Sequence, residues 1–223
     1  METAIGEVLP LALGVAISPI PIIAAILMLL APGARGRSVG FLVGWVLGIV
    51  VAVVLFTLLA TVIPPSDPND SAPVAGVVKI ALGVLLLLLA VKQWRGRPHG
   101  DEEPALPKWM AAIDSLTAVR AVGLGFLLSA VNPKNLLMAA SAGVIVGTAG
   151  LTAGEITLTL AVYVLIAAST VLIPVLGYLV ASRRLAAPLE RLRGWLVHNN
   201  ATVMAVLLLV IGVAVIGKGI ASF

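Results

Sequence analysis

The sequence predicts an all-α polytopic membrane protein of six transmembrane helices, arranged as two inverted three-helix repeats. Hydrophobic residues make up 61% of the 223 residues and charged residues only 11%, and the mean hydropathy is +1.16. A soluble domain of this size could not bury so much apolar surface, whereas about 20 apolar residues cross a bilayer as a helix. We expect spans at roughly 8–31, 39–63, 74–92, 121–148, 156–181 and 201–221.

The charges of the loops predict how these spans are oriented. Lys and Arg are concentrated in the 1–2, 3–4 and 5–6 loops, whereas the 2–3 loop carries Asp67 and Asp70 and the 4–5 loop carries only Glu155. The positive-inside rule places the three basic loops in the cytoplasm. Both termini are therefore expected outside the cytoplasm.

Two cytoplasmic segments, 106–116 and 185–196, place apolar residues at helical spacing among charged ones. We expect both to lie along the membrane surface, as interfacial linkers rather than as helices that dock a partner. Tryptophans near the basic loops predict an aromatic belt at the inner interface. These are Trp45, Trp94, Trp109 and Trp195.

The chain divides into two halves. Residues 1–93 form the first three-helix repeat, 94–117 a cytoplasmic linker with an interfacial amphipathic helix, and 118–223 the second repeat. LGVAISPIP, which ends at Pro21, resembles LGFLLSAVNP, which ends at Pro133, and each opens its half. Three spans per half require opposite orientations, as in the inverted repeats of many transporters.

Each of these opening spans has a proline motif near its centre. Proline lacks an N–H and pushes the preceding residue out of helical geometry. Ser18 and Asn132 are good N-cap residues, and Pro19 and Pro133 suit the first helical position behind them. We therefore predict that spans 1 and 4 are broken into half-helices at these motifs, near the middle of a hydrocarbon core of about 30 Å.

The chemistry at the breaks favours an anionic ligand such as a carboxylate, phosphate or sulfate. Two half-helix N-termini would offer backbone N–H groups and partial positive charge. Lys134 adds a full charge, and no Asp or Glu occurs at mid-depth in any predicted span. The alternative is a pair of proline kinks, with Lys134 snorkelling or neutral. The predicted substrate site comprises Ser18, Pro19, Asn132, Pro133 and Lys134.

Other polar residues are possible accessory contacts, and each has a second interpretation. Ser129 faces the pathway or bonds its own helix. Lys79 and Lys218, near the outer ends of spans 3 and 6, snorkel or guide an anionic headgroup outward.

Small residues and helix-bending residues indicate where the predicted helices pack against one another. We interpret the stripe of Gly40, Gly44 and Gly48 as a close helix contact, within the chain or in a homodimer. Ser169, Thr170 and Pro174 predict a packing kink in span 5.

Several function classes lack their signatures. The chain has no cysteine, and its two histidines, His99 and His198, are loop residues without ligand partners, so no metal site is predicted. No P-loop, serine elbow or paired carboxylate is present, so we expect neither an enzyme nor a cofactor. The basic residues lie in short loops, where they set topology, so nucleic acid is not an expected partner.

At ISPIPI and NPKN the chain resembles the LysE superfamily of six-span exporters, and most of all the actinobacterial Gap/Sap branch of glycopeptidolipid and sulfolipid addressing proteins. The resemblance covers the whole chain. It implies a bacterial inner (plasma) membrane protein that helps to export cell-envelope lipids, beside an RND-type lipid transporter. It also implies a central role for Pro19 and Pro21 and for Asn132, Pro133, Lys134 and Asn135, so the predicted substrate site includes Pro21 and Asn135 as well.

Three functions follow from the residues and the resemblance. The first is a transporter or flippase for an anionic or glycosylated envelope lipid, working by alternating access. The second is an exporter of a small solute such as an amino acid, although the chain lacks the acidic membrane residues that amino-acid exporters of the superfamily often carry. The third is a non-transporting scaffold for a lipid-export complex.

Overall fold

The computed structural model describes residues 1–31, 33–62, 73–97, 110, 113 and 116–223, and most of these residues lie in apolar helices. No strand occurs among these residues. A long helical stretch, Ala153–Ile220, has non-helical backbone at Ala181 (φ −138°, ψ 48°) and is described as two helices. The helices are α1 Glu2–Ala16, α2 Pro19–Leu30, α3 Ala34–Ala60, α4 Pro73–Arg95, α5 Ala118–Ala130, α6 Pro133–Gly147, α7 Ala153–Ser182 and α8 Arg184–Ile220.

The helices are those of a multi-pass membrane protein. Four of them, α3, α4, α7 and α8, are each long and apolar enough to cross a bilayer. Two bent pairs, α1–α2 and α5–α6, pass the same test when taken together, with bends of 54° and 61°. The described chain therefore has four candidate spans, or up to six if each bent pair is one span.

Both predicted helix breaks are confirmed. Ser18 (φ −116°, ψ 94°) and Asn132 (φ −64°, ψ 120°) have extended backbone, and a new helix begins at the proline that follows each of them. The cause is local, since a proline disfavours helical geometry in the preceding residue and cannot donate to the preceding turn.

The predicted packing kink in span 5 is not where the backbone breaks. Pro174 lies inside α7, and the non-helical residue is Ala181, beyond it. The segment 185–196 also differs from its prediction, because it is the first part of the continuous helix α8 rather than a separate surface helix. Its leucines extend the buried stripe of that helix, which runs through Leu189, Leu196, Met204, Leu208, Ile211 and Val215.

The predicted aromatic belt is only partly present. Trp94 and Trp195 are 47% and 55% exposed, but Trp45 is fully buried and its ring stacks on Phe41 at 6.4 Å between centroids. The prediction for Trp45 was therefore wrong, because its side chain packs in the hydrophobic core of the chain. Trp109, His99, Asp67, Asp70 and most of the predicted interfacial helix lie outside the described residues. Of that helix, Met110 and Ile113 are buried in the hydrophobic core.

The glycine stripe of α3 makes the close helix contact within the chain. A Cβ at Gly44 would overlap the backbone oxygen of Val122 in α5, and a Cβ at Gly40 would overlap that of Ala118. Gly83 and Gly76 in α4 approach the backbone of α8 in the same way. Small residues thus bring backbones together where apolar attraction between helices is weak.

The two halves of the chain pack across each other. The bent pair of the first half, α1–α2, packs against the stretch Ala153–Ile220 of the second half. The bent pair of the second half, α5–α6, packs against α3 of the first, and α4 packs against Ala153–Ile220. Helix α1 also contacts α6, so both breaks lie at the interface between the halves.

We predict that Gly44→Ala lowers the unfolding free energy by about 1–3 kcal/mol, because the added methyl group must separate α3 from α5. Thermal unfolding of the purified protein in detergent measures this change. Gly123→Ala is the matched control, since Gly123 lies on α5 and a Cβ there meets nothing within 4 Å. Equal unfolding temperatures for the two variants would contradict the proposed α3–α5 contact.

Candidate functional site

The two helix breaks line one cavity of about 240 Å³. Six of the residues predicted for the substrate site line it. From the sequence, the residues of the two breaks could be placed together only because the two halves resemble each other. The cavity also collects polar residues from the ends of α4 and α8. Its lining is Ser18, Pro19, Ile20, Pro21, Leu89, Lys92, Gln93, Asn132, Pro133, Lys134, Asn200, Met204 and Leu208.

Lys134 joins the two breaks directly. Its side chain starts in the first turn of α6, is only 4% exposed, and reaches the end of α1. The ammonium Nζ donates to the carbonyl oxygen of Gly14 at 2.5 Å, to Ser18 Oγ at 2.5 Å and to the carbonyl oxygen of Ile17 at 3.4 Å. Three acceptors match the three N–H donors of a lysine ammonium.

The prolines of the first break explain why α1 needs these donors. In a continuous helix, residues 19 and 21 would donate to the carbonyl oxygens of Val15 and Ile17. Pro19 and Pro21 have no N–H to donate. Instead, the Ser18 hydroxyl donates to the Val15 oxygen at 2.6 Å, and Lys134 donates to the Ile17 oxygen.

Two further carbonyl oxygens at the end of α1 are satisfied from other helices. The Ser18 N–H, which would donate to Gly14 in a continuous helix, donates to Ala16 at 2.8 Å, so Gly14 receives Lys134. Thr170 in α7 donates its hydroxyl to the Ala16 oxygen at 2.6 Å. Lys134 thus caps the C-terminus of α1, where the helix dipole favours a positive charge.

The half-helix N-termini offer fewer backbone donors than the sequence suggested. Two of the first three residues of α2 are prolines, which leaves the N–H of Ile20. In α6 Pro133 has no N–H, and the N–H of Lys134 donates to Asn132 Oδ1 at 3.0 Å. Asn132 therefore caps its helix as predicted, whereas Ser18 occupies the N-cap position without a side-chain cap bond.

The described residues that line the cavity include two lysines and no carboxylate. Lys92, from the last turn of α4, has an exposed side chain, unlike the buried Lys134. The salt bridges among the described residues are Arg193–Glu190 and Lys218–Glu7, and none of these residues lines the cavity. Among the described residues, the ionisable side chains of the cavity are therefore both basic.

Sequence reasoning missed four residues of this region: Lys92, Gln93, Asn200 and Thr170. In the sequence, Lys92 is one of the basic residues at the edge of the 3–4 loop that predict topology, and Thr170 belongs to the predicted kink in span 5. Asn200 Oδ1 is buried and has no hydrogen-bond partner within the described part of the chain. One feature of the sequence could have indicated that Lys92 belongs to the site: it is the last residue of a predicted span rather than a loop residue.

Four predicted residues do not line the cavity. Asn135 is buried and donates from Nδ2 to the Leu128 oxygen at 3.2 Å, which spans the second break. Ser129 donates to oxygens of its own helix, as its alternative interpretation predicted. Lys79 donates to Ser222 at 3.3 Å, and Lys218 lies 3.5 Å from the carboxylate of Glu7. The last two lie at the far end of α4 and α8, about 20 Å from Lys92 along the helix.

A family model described as Sap, sulfolipid-1-addressing protein, matches residues 8–221 and so includes both breaks. The chain belongs to this family. The predicted resemblance to the Gap/Sap branch is thereby confirmed, and Sap membership points to a role in handling lipid. No curated protein and no solved structure matches the chain. The described residues contain no group of three or more His, Cys, Asp or Glu side chains that could hold a metal ion.

We predict that Lys134→Met lowers the unfolding free energy by about 1–3 kcal/mol, because the buried oxygen of Gly14 loses its donor. Thermal unfolding in detergent again measures the loss. Lys92→Met removes a lysine from the same cavity whose ammonium is exposed, and it should unfold at the temperature of the unmodified protein. If the two methionine variants are equally stable, Lys134 does not cap α1.

Proposed function

We propose that this chain is a transporter or flippase that assists the export of an anionic or glycosylated cell-envelope lipid, with the lipid headgroup held in the cavity at the helix breaks. The observation that carries the proposal is a cavity whose described lining includes Lys92 and Lys134 but no carboxylate. The Sap family name supports lipid as the substrate class.

An anionic headgroup would offset charges that the protein leaves uncompensated. Charge inside the hydrocarbon region is costly and is typical of functional sites. The hydrogen-bond partners of Lys134 among the described residues are neutral oxygens, so no carboxylate there would compensate its charge. Its three N–H groups are already occupied, and Lys134 would therefore act on a headgroup through its field. Lys92 has an exposed side chain in the same cavity and would make the direct contact.

Amide side chains in the cavity suit a hydroxylated headgroup. Gln93, Asn132 and Asn200 each present both a carbonyl oxygen and an NH₂ group. A sugar or glycerol hydroxyl could donate to the unpartnered Oδ1 of Asn200. Because a buried acceptor without a donor is costly, a ligand hydroxyl at this position would stabilise the site.

Alternating access between two inverted repeats is the mechanism that we propose. The packing of each bent pair against the other half supports a pseudo-symmetric arrangement in which each pair is one span, for six spans in total. At the end far from the cavity, the Glu7–Lys218 and Lys79–Ser222 contacts join α1 to α8 and α4 to the chain end. Such contacts would hold that end closed while the cavity is open to the Lys92 side.

The cavity has room for a lipid headgroup but not for a whole lipid. Its volume of about 240 Å³ is below the roughly 300–1,000 Å³ of pockets that bury a drug-sized ligand. A plasma-membrane location with both termini outside, and an RND-type transporter as a partner, belong to the same proposal. We propose no catalytic step.

We predict that Lys92→Gln slows lipid flipping about tenfold, because one charge–charge contact with the headgroup is lost. The assay uses the purified protein in phosphatidylcholine vesicles with fluorescent phosphatidylglycerol, whose inner-leaflet fraction is followed by quenching from outside. Arg95→Gln is the control, since Arg95 is exposed at the end of the same helix but does not line the cavity.

Three outcomes distinguish the candidate functions. Flipping by the unmodified protein alone excludes a pure scaffold. No flipping, combined with export of an amino acid from the same vesicles, would favour a solute exporter. Equal flipping by Lys92→Gln and Arg95→Gln would remove Lys92 from the site.

We predict that both chain termini face outward. Because the chain has no cysteine, single cysteines can be introduced without background. Thr3→Cys and Phe223→Cys should react with a membrane-impermeant maleimide on intact cells, whereas Gly194→Cys should react only after permeabilisation. Labelling of either terminus only after permeabilisation would overturn the inverted arrangement.

A further inference from the structure

We propose that the lipid enters the cavity sideways from the bilayer, with an acyl chain lying in an apolar groove between α4 and α6. The inference rests on the proposed function and specifies its ligand as a membrane-resident lipid on the Lys92 side. The groove has a volume of about 440 Å³. It is lined by Leu85, Leu88, Leu89, Lys92, Pro133, Leu136 and Leu137.

The groove is continuous with the polar cavity. Leu89, Lys92 and Pro133 line both spaces. On one side of these residues lie the polar groups of the breaks, and on the other side lie leucines. A ligand that occupied both spaces would need a polar end and an apolar end joined at the position of Lys92, which is the description of a lipid.

The depth of Lys92 fits the level of lipid headgroups. It lies in the last turn of α4, beside the half-exposed Trp94, over whose ring the Arg97 guanidinium lies at 3.9 Å. Exposed tryptophan and basic side chains at the end of an apolar helix mark the membrane interface. Lys92 would therefore contact the phosphate or sulfate of a lipid in the adjacent leaflet at the depth where that headgroup normally lies.

The leucines continue inward from this level. Leu88 and Leu85 lie about one and two helical turns deeper than Lys92 on α4. Leu136 and Leu137 lie about one turn beyond Pro133 on α6. An acyl chain in this groove would keep the orientation that it has in the bilayer while its headgroup turns into the cavity. The acyl chain would therefore not be exposed to water when the lipid enters.

The test is photolabelling of the full-length protein in phosphatidylcholine nanodiscs. The probe is phosphatidylglycerol with a diazirine in its acyl chain, present at low mole fraction, and labelled residues are mapped by mass spectrometry. A probe with the same acyl chain and a phosphatidylcholine headgroup reports labelling by the bulk bilayer. We expect phosphatidylglycerol to label the groove leucines, with competition by unlabelled phosphatidylglycerol.

Two matched variants test whether the groove itself holds the chain. Leu88→Trp fills the groove and should reduce the competed labelling about tenfold. Leu165→Trp makes the same change on α7, outside the groove, at nearly the same exposure (62% against 61% for Leu88), and should leave labelling unchanged. Both variants replace lipid-facing leucines, so both are expected to fold.

The outcomes separate this inference from the proposed function. Labelling spread evenly over the lipid-facing residues would overturn the proposed entry through the groove, even if phosphatidylglycerol is still flipped. Equal labelling of the Leu88→Trp and Leu165→Trp variants would do the same. Competed labelling of the groove without flipping supports the groove and removes the transport function. If the protein shows neither competed labelling nor flipping, both the lateral groove and the proposed function are overturned.

Discussion

The structure depends on one contact between its two halves, which is the ammonium of Lys134 against the end of α1. Pro19 and Pro21 break the first bent pair and leave carbonyl oxygens of α1 without backbone donors. The lysine that follows the proline of the second break supplies donors to Gly14 and Ile17. The lack of donors at the first break is thus met by a side chain from the second, which joins the two halves of the chain at the breaks.

The helices around this contact are held by two kinds of packing. Glycines bring α3 onto α5 and α4 onto α8, so their backbones nearly touch. At the breaks the bends of 54° and 61° prevent such an approach and leave space. A cavity therefore forms at the breaks. Its polar lining comes from Ser18, Asn132 and Lys134 at the breaks and from Lys92, Gln93 and Asn200 on α4 and α8.

Lys134 has a structural role that changes how the site would recognise an anion. Its donors are committed to α1, so it contributes charge rather than a free hydrogen bond. The prolines also remove most of the free backbone N–H groups at the half-helix N-termini. Direct recognition would fall to Lys92 and the amides of the cavity. Loss of activity on mutation of Lys134 would therefore need to be separated from loss of folding, whereas Lys92 reports on binding alone.

The sequence by itself determined the membrane class, the positions of both breaks and the central place of Lys134. Proline geometry and the cost of a charge in an apolar segment are local constraints that no tertiary contact removes. Only the tertiary structure decided what Lys134 touches, that Thr170 and Lys92 belong to the same region, and that Trp45 is buried while Trp94 is exposed. In a bilayer both the protein core and the lipid are apolar, so hydrophobic periodicity does not tell which face of a helix meets another helix. Which faces pack together is decided by close backbone contacts at glycines and by hydrogen bonds between polar groups that are far apart in the sequence.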